Sequence, residues 1–378
     1  MDVYINKVSK FLPNEPVGNE DMESCLGMVG DIPSKARRIV LRNNGIRQRY
    51  YALDKEGHVT HTNVQMAANA IRGLLDDRLS LDDIELLACG TASPEQLVPS
   101  HGVMVHGALG GRRNAEVVSF AGSCCAGVDA LKYAFMAVHC GLVGNAVVSA
   151  SERISAWMQA SYFQKESELL MQLEEQPFLA FEKEFLRWML SDGAYAALLQ
   201  GKPNEKGLSL RMDWIEITSF ANTTETCMYV GGEKDDNGHL HGWASFPQQE
   251  WLSKSLFSVK QDTRLLAANI VRLGVDYLLQ LAEKHGLTPE DIDWFLPHLS
   301  SMFFKDKILV ESKERGFFIP EEKWFVNLPD VGNIASASAF AMIEELMYSG
   351  KLKVGQKILM MIPESARFSY CYCMMTVC

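Results

Sequence analysis

The sequence predicts an α/β protein made of two related halves, with mostly parallel sheets covered by helices. Two internal likenesses and one alternation lead there. "LSLDDIELLACGTAS" (79–93) and "LTPEDIDWFLPHLSS" (287–301) share a Leu, a capping Ser or Thr, an acidic pair, an Ile and a buried apolar run. Each follows an amphipathic helix pattern, "VQMAANAIRGLLDDR" and "NIVRLGVDYLLQLAEKHG". Farther along, "EVVSFAGSCCAGVDALKYAFMAVHCGLVGNAVVSASE" and "KWFVNLPDVGNIASASAFAMIEELMYSGKLKVGQKILMMIPE" both read strand, small-residue loop, helix, glycine turn, strand. Buried strands alternating with helices are the signature of sheets packed between helical layers.

Taken in order, the first half runs over 1–203 and the second over 204–378, divided near "LLQGKPNEKGLSL". The equivalent loops fall at Cys124–Gly127 and Gly332–Ser336. A pseudo-twofold arrangement of the halves brings those loops together, where a site can form. Residues 155–190, helical in pattern and rich in Met, Leu, Phe and Trp, are too long for a plain connection. They read as an inserted cap over a pocket or as an oligomer contact. Trp157, Met158, Phe163, Phe178 and Phe181 either bound a tunnel or are plain core.

The chain has 378 residues, 47% hydrophobic, 22% charged, with a net charge of −11. That balance argues against a general nucleic-acid binder, which needs a basic face. The N-terminus "MDVYINKVSK" lacks the apolar core of a signal peptide. No apolar run approaches the ~18–20 residues that span a bilayer. Nine cysteines without framework spacing read as reduced thiols in a cytoplasm. The nearest metal pattern, His239 and His241 in "HLH", sits in a Gly/Asp-rich loop, and no metal is expected.

A cysteine at a helix start meets the helix dipole and unpaired N–H groups, which favour thiolate. Ala and Gly around Cys124 and Cys125 leave room for a substrate. The plainer reading is a pair of small buried residues. His298 just past a buried strand and Asn333 in the equivalent loop shift that balance. Thiolate, imidazole and amide together suit acyl-thioester chemistry, with Cys taking the acyl group and His and Asn holding an enolate oxygen.

These three segments, in this order, resemble the thiolase superfamily, and most of all its beta-ketoacyl-acyl carrier protein synthase III branch. "NNGIRQRY" (43–50), "SCCAGVDAL", "SDGAYAALL", "PHLSS" and "GNIASAS" followed by "SGKLKVGQKILMM" carry the likeness over almost the whole chain. The family's nucleophile precedes Ala-Gly directly, which matches Cys125 and leaves Cys124 as its neighbour. The resemblance implies a thiolase-like five-layered α-β-α-β-α fold from two duplicated halves with a helical insertion, and a homodimer. It implies catalysis by Cys125, His298 and Asn333, with oxyanion donors from the Cys125 and Ala366 amides. Substrate-binding positions are Val98, in the partner subunit's acyl pocket, with Ser301, Phe303 and Phe368. The implied reaction is a ping-pong decarboxylative Claisen condensation. Its substrates are acyl and malonyl thioesters of acyl carrier protein or coenzyme A, without a resident cofactor.

The sequence departs from that pattern in three places. The last loop reads "PESARFSYCY" where the family is glycine-rich, and Ser365, Ala366 and Arg367 do not take glycine-only dihedrals cheaply. Glu364 and Arg367 there either reach the pocket or form a surface ion pair. The tryptophan before Gly-Ile-Arg is absent, which points to acyl carrier protein as donor. Arg37, Arg38 and Arg42 are the carrier-docking candidates, followed by Arg112, Arg113 and Lys305. Relatives that condense without decarboxylation carry Glu before a Pro where this chain has Val98, and Glu95 lies three residues earlier. A specialised fatty acid or polyketide-type pathway is the expected setting. The alternatives are acyl transfer to an oxygen or nitrogen nucleophile, with His298 as general base, and a non-catalytic partner subunit.

Overall fold

The computed structural model describes residues 1–29, 33–163 and 186–378. The principal elements of the first half are β1 (Tyr4–Phe11), α1 (Asn63–Arg72), β2 (Leu86–Thr91), α2 (His101–Leu109), β3 (Glu116–Ala121), α3 (Ala126–His139), β4 (Asn145–Glu152) and β5 (Gly193–Gln200). Those of the second half are β6 (Leu210–Ser219), α4 (Thr263–His285), β7 (Trp294–Pro297), α5 (Phe303–Glu314), α6 (Ser338–Tyr348), β8 (Lys357–Glu364) and β9 (Ser369–Val377).

The strands line up as β3-β2-β4-β5-β1 in one half and β7-β8-β9-β6 in the other. The two runs meet where Tyr4 and Ile5 of β1 pair with Arg211 and Leu210 of β6. Each element of one half has a counterpart in the other, in the same order. Only β3 lacks a full one: its equivalent, 324–326, makes a single parallel bridge from Trp324 to Phe295. The sheets are mixed and not mostly parallel. β2 runs parallel to β3 and β4, and β7 to β8, but β4–β5, β5–β1, β8–β9 and β9–β6 are antiparallel. β8 returns through a short turn, and a tight turn joins only antiparallel strands.

α1 and α2 cover the outer face of the first sheet, and α4 and α5 lie beyond the second. α3 touches strands of the first sheet and β6, while α6 touches β1, β5 and β7. They form the layer between the sheets, which completes the five-layered order. Local sequence sets the helix ends. Thr62 and Gln65 form a reciprocal capping box on α1, and the Asp262 carboxylate accepts the Arg264 and Leu265 amides at the start of α4. α4 is long and apolar enough to cross a membrane, but half of its most apolar window is packed inside the fold. Its inward residues, Leu266, Ile270, Leu273 and Leu278 among them, belong to the main core.

Candidate active site

β3 ends at Ala121, and Gly122, Ser123 and Cys124 turn the chain into α3, with Cys125 as its first cap. Two glycines allow this turn to sit where it does. A Cβ on Gly90 of β2 would lie 2.2 Å from the Ala126 carbonyl oxygen. A Cβ on Gly127 would lie 2.4 Å from the Ser336 carbonyl oxygen and 2.8 Å from the Ala150 Cβ. The cysteine loop is therefore pressed against the asparagine loop of the other half, as the duplicated pattern implies.

Cys125 is buried. Its thiol donates to the Ile362 carbonyl at 3.7 Å. Its N–H donates to Glu364 Oε2 at 3.0 Å, and the same oxygen accepts the Ser123 N–H at 3.2 Å. Burial first, and then the Glu364 charge, push the Cys125 thiol well above its ordinary value. Burial likewise pushes Cys124 up to about 12. The expectation that the helix start would hold Cys125 as thiolate is therefore overturned for this resting arrangement. Desolvation and a neighbouring carboxylate act against the dipole.

The altered last loop differs from expectation in a second way. Ser365, Ala366 and Arg367 take no left-handed backbone; the positive φ falls on the buried Phe368, at +58°. The Ala366 carbonyl accepts the amides of Cys227 and Met228, which fixes the loop. Glu364 and Arg367 are not a surface pair: Glu364 turns inward to the Cys125 amide, and Arg367 donates to the Thr224 carbonyl at 3.2 Å.

His298 follows β7, and its backbone N–H donates to Met361 of β8 at 2.8 Å. Burial lowers its imidazole to about 4, so it is neutral at neutral pH. Asn333 is reached through Gly332 at φ +72°, where a Cβ would meet Ser191 Cβ at 2.8 Å and Arg49 Cβ at 2.9 Å. Asn333 exchanges backbone bonds with Met189 and Ser191, at 3.0 and 2.9 Å. Its Oδ1 accepts the Ala335 N–H at 2.9 Å, which leaves the Nδ2 donors for a ligand.

Sequence reasoning missed Glu152, at the end of β4. It is fully buried and accepts the Ser336 hydroxyl, the Ser93 hydroxyl at 2.6 Å and the Ala92 N–H at 2.9 Å. Burial pushes it up to about 7, against those hydrogen bonds. It ties the asparagine loop to the first half. An acidic residue closing an apolar strand was the available signal.

A cavity of about 510 Å³ lies between the halves. Ser123, Cys124, His298, Asn333 and Ala366 stand on its wall, and most of the rest is apolar, including Trp157, Leu190, Ile270, Val271 and Met361. Cys125 is one residue behind Cys124, off the wall itself. Ser301 and Phe303 are off it too. Ser301 is buried with its hydroxyl on the Asn43 carbonyl at 3.4 Å, and Phe303 is half exposed under Lys307. Ser300 and Phe304 take their places, one step away in the turn and helix. Phe368 is core, not wall. Val98 is 83% exposed on its own chain and outside this cavity, beside Leu97, which lines it. Glu95 also lines it and pairs with Arg153 at 3.8 Å. Met158 and Phe163 are buried, while Phe178 and Phe181 lie outside the described residues.

Among the basic candidates, Arg37 is spent on Glu23 at 2.6 Å and Glu20 at 3.6 Å. Arg38 and Arg42 of the same helix, Lys35–Asn44, are exposed. Lys305 pairs with Glu321, and the backbone amides of Arg112 and Arg113 rest on Asp82. His239 and His241 both face Asp235, at 3.5 and 3.1 Å.

Residues 282–362, which carry His298 and Asn333, match the family described as 3-oxoacyl-[acyl-carrier-protein] synthase III C terminal. Over those residues the chain is similar to that family. A beta-ketoacyl-[acyl-carrier-protein] synthase III of Chlorobaculum tepidum is 24% identical over 361 residues, 95% of each chain. Among solved structures, OleA of Xanthomonas campestris superposes with a TM-score of 0.75 at 19% identity, over 99% of this chain and 98% of that one. The tetronic acid condensing enzyme AbyA1 does so at 0.73 and 18%, over 99% of each chain. The chain thus shares its whole fold with these proteins, at identities that speak for the fold alone.

Proposed function

We propose that the chain is an acyltransferase of the condensing type, a ketosynthase that joins an acyl group to a decarboxylating malonyl thioester. The observation that carries this is one apolar cavity with His298 and Asn333 on its wall, closed by the Cys124–Cys125 loop. Cys125 attacks the acyl thioester, the carbon–sulfur bond to the carrier breaks, and the thiol proton leaves with the carrier thiol. The malonyl thioester then loses CO2. The neutral His298 imidazole and the Asn333 amide donate to its enolate oxygen. The enolate carbon attacks the Cys125 thioester, the carbon–sulfur bond breaks to release a beta-ketoacyl product, and the Cys125 thiolate takes a proton from water.

The apolar wall suits an acyl chain, and Val98 in place of a glutamate favours decarboxylation as the source of the carbanion. Arg38 and Arg42 are proposed to meet an acidic acyl carrier protein, in a cytoplasmic setting. The half-exposed edge strand β3, paired among the described residues only with β2, is proposed to pair with its copy in a homodimer. No resident cofactor is called for. The test is product mass after incubating the acylated protein with malonyl-carrier protein. A beta-ketoacyl product with release of CO2 supports condensation. An ester or amide formed without CO2 when an alcohol or amine is supplied in place of malonyl-carrier protein supports simple acyl transfer.

A further inference from the structure

We propose that Glu364 sets which acyl groups load onto Cys125: its carboxylate occupies the nucleophile's own amide, and a thioester displaces it only when its chain fills the cavity. This deepens the reading of Cys125 as the acylated residue and rests on it.

Attack on a thioester puts negative charge on the carbonyl oxygen, and the amide of the nucleophile at a helix start is the natural donor for it. Here that amide is taken at 3.0 Å by Glu364 Oε2, which also holds the Ser123 amide at 3.2 Å. A carboxylate in that place blocks the donor and repels a second negative oxygen. Asp129 on α3 adds to the repulsion. The thiol is also turned away, donating to Ile362. Both restraints come from the end of β8.

The same strand carries the means of release. Side chains alternate along it. Met361, Pro363 and Ser365 lie on the cavity wall, while Ile362 and Glu364 bond to Cys125. A ligand that fills the apolar cavity bears on the residues either side of Glu364. Apolar burial grows with each methylene, so a long chain brings more energy to that displacement than a short one. Loading itself is balanced: the bond from Cys125 Sγ to the acyl carbon forms, the bond from that carbon to the leaving sulfur breaks, and the thiol proton goes to the leaving thiolate.

The test compares the native protein with Glu364→Ala and with the isosteric Glu364→Gln. Acyl loading is followed by intact-protein mass with acetyl and decanoyl N-acetylcysteamine thioesters. Alkylation of Cys125 by iodoacetamide is followed separately by peptide mass. The native protein loads decanoyl much faster than acetyl. Glu364→Ala raises acetyl loading and Cys125 alkylation by about tenfold and the chain-length ratio collapses, while Glu364→Gln, whose Oε1 still accepts the Cys125 amide, removes only the charge and raises alkylation. Variants that stay folded but load both thioesters more slowly overturn the proposal, because Glu364 then assists the chemistry. So does a chain-length ratio that does not change in Glu364→Ala. Alkylation needs no thioester chemistry. Faster alkylation with no acylation of any of the three proteins overturns the functional reading, and the proposal with it.

Discussion

Gly127→Ala tests the contact on which the site depends. The added Cβ would lie 2.4 Å from the Ser336 carbonyl oxygen, 2.8 Å from Ala150 Cβ and 3.1 Å from Phe340 Cε2. A carbon–oxygen contact relaxes at roughly 3.3 Å, so the cysteine and asparagine loops must part by about 1 Å. Neither the Ser336 carbonyl nor the Ala150 Cβ is the far end of a flexible side chain. The cost falls at the upper end for overpacking, about 3 kcal/mol. For a chain of this size that lowers the melting temperature by roughly 4 °C. The effect on rate is larger, because a misplacement of about 1 Å in the reacting groups costs on the order of 100-fold. The control is Gly107→Ala in α2, where an added Cβ meets nothing within 4 Å. It stabilises the helix by about 0.5–1 kcal/mol. Melting curves and condensation rates on both variants decide the matter. If Gly127→Ala melts and turns over like Gly107→Ala, the two loops are not in contact and the site as described does not exist.

Two further outcomes follow from buried groups. Glu152 is raised to about 7 by burial, so the folded state binds its proton more tightly than the unfolded chain does. Its contribution is fully present below the ordinary carboxylate value and is lost as pH rises through about 7. Glu152→Gln removes that part of the slope between pH 5 and 7, leaving Asp192, raised to about 6, as a smaller source. Equal slopes in denaturant melts of the two proteins at pH 5, 6, 7 and 8 would refute the assignment. His298, lowered to about 4 by burial, is neutral across the working range. His298→Ala therefore keeps acyl loading on Cys125 but loses condensation by about 100-fold or more. A condensation profile that breaks near the ordinary imidazole value, with loading unaffected, contradicts a neutral His298.

Much of this arrangement was legible because the chain states it twice. Helix, acidic turn and buried strand recur around Ile84 and Ile292, and the small-residue loops recur at Cys125 and Asn333, so the meeting of those loops could be read without coordinates. What failed was phase and direction. Ser301 and Phe303 were one residue off, because the turn into α5 sets which side chains face the cavity and no periodicity in four residues fixes that. The antiparallel strands β5 and β9 look like any buried apolar run, so the sheets read as mostly parallel. The 324–326 stretch keeps the sequence of a strand but pairs at one bridge only. The sequence leaves the place of Glu364 open, since alternation along β8 says only that it faces opposite to Pro363. Which face holds the Cys125 amide is a tertiary fact. The expectation of a thiolate went wrong for the same reason: the helix start was visible, while the burial and the carboxylate opposite were not.

The most direct test separates the two adjacent cysteines, since Cys124 stands on the cavity wall and Cys125 behind it. The native protein, Cys124→Ala and Cys125→Ala are each incubated with a panel of acyl-carrier and acyl-coenzyme A thioesters and weighed intact. The account predicts one acyl adduct on the native protein and on Cys124→Ala, and none on Cys125→Ala. An adduct that survives in Cys125→Ala and vanishes in Cys124→Ala, or no adduct on the native protein with any donor, would contradict it.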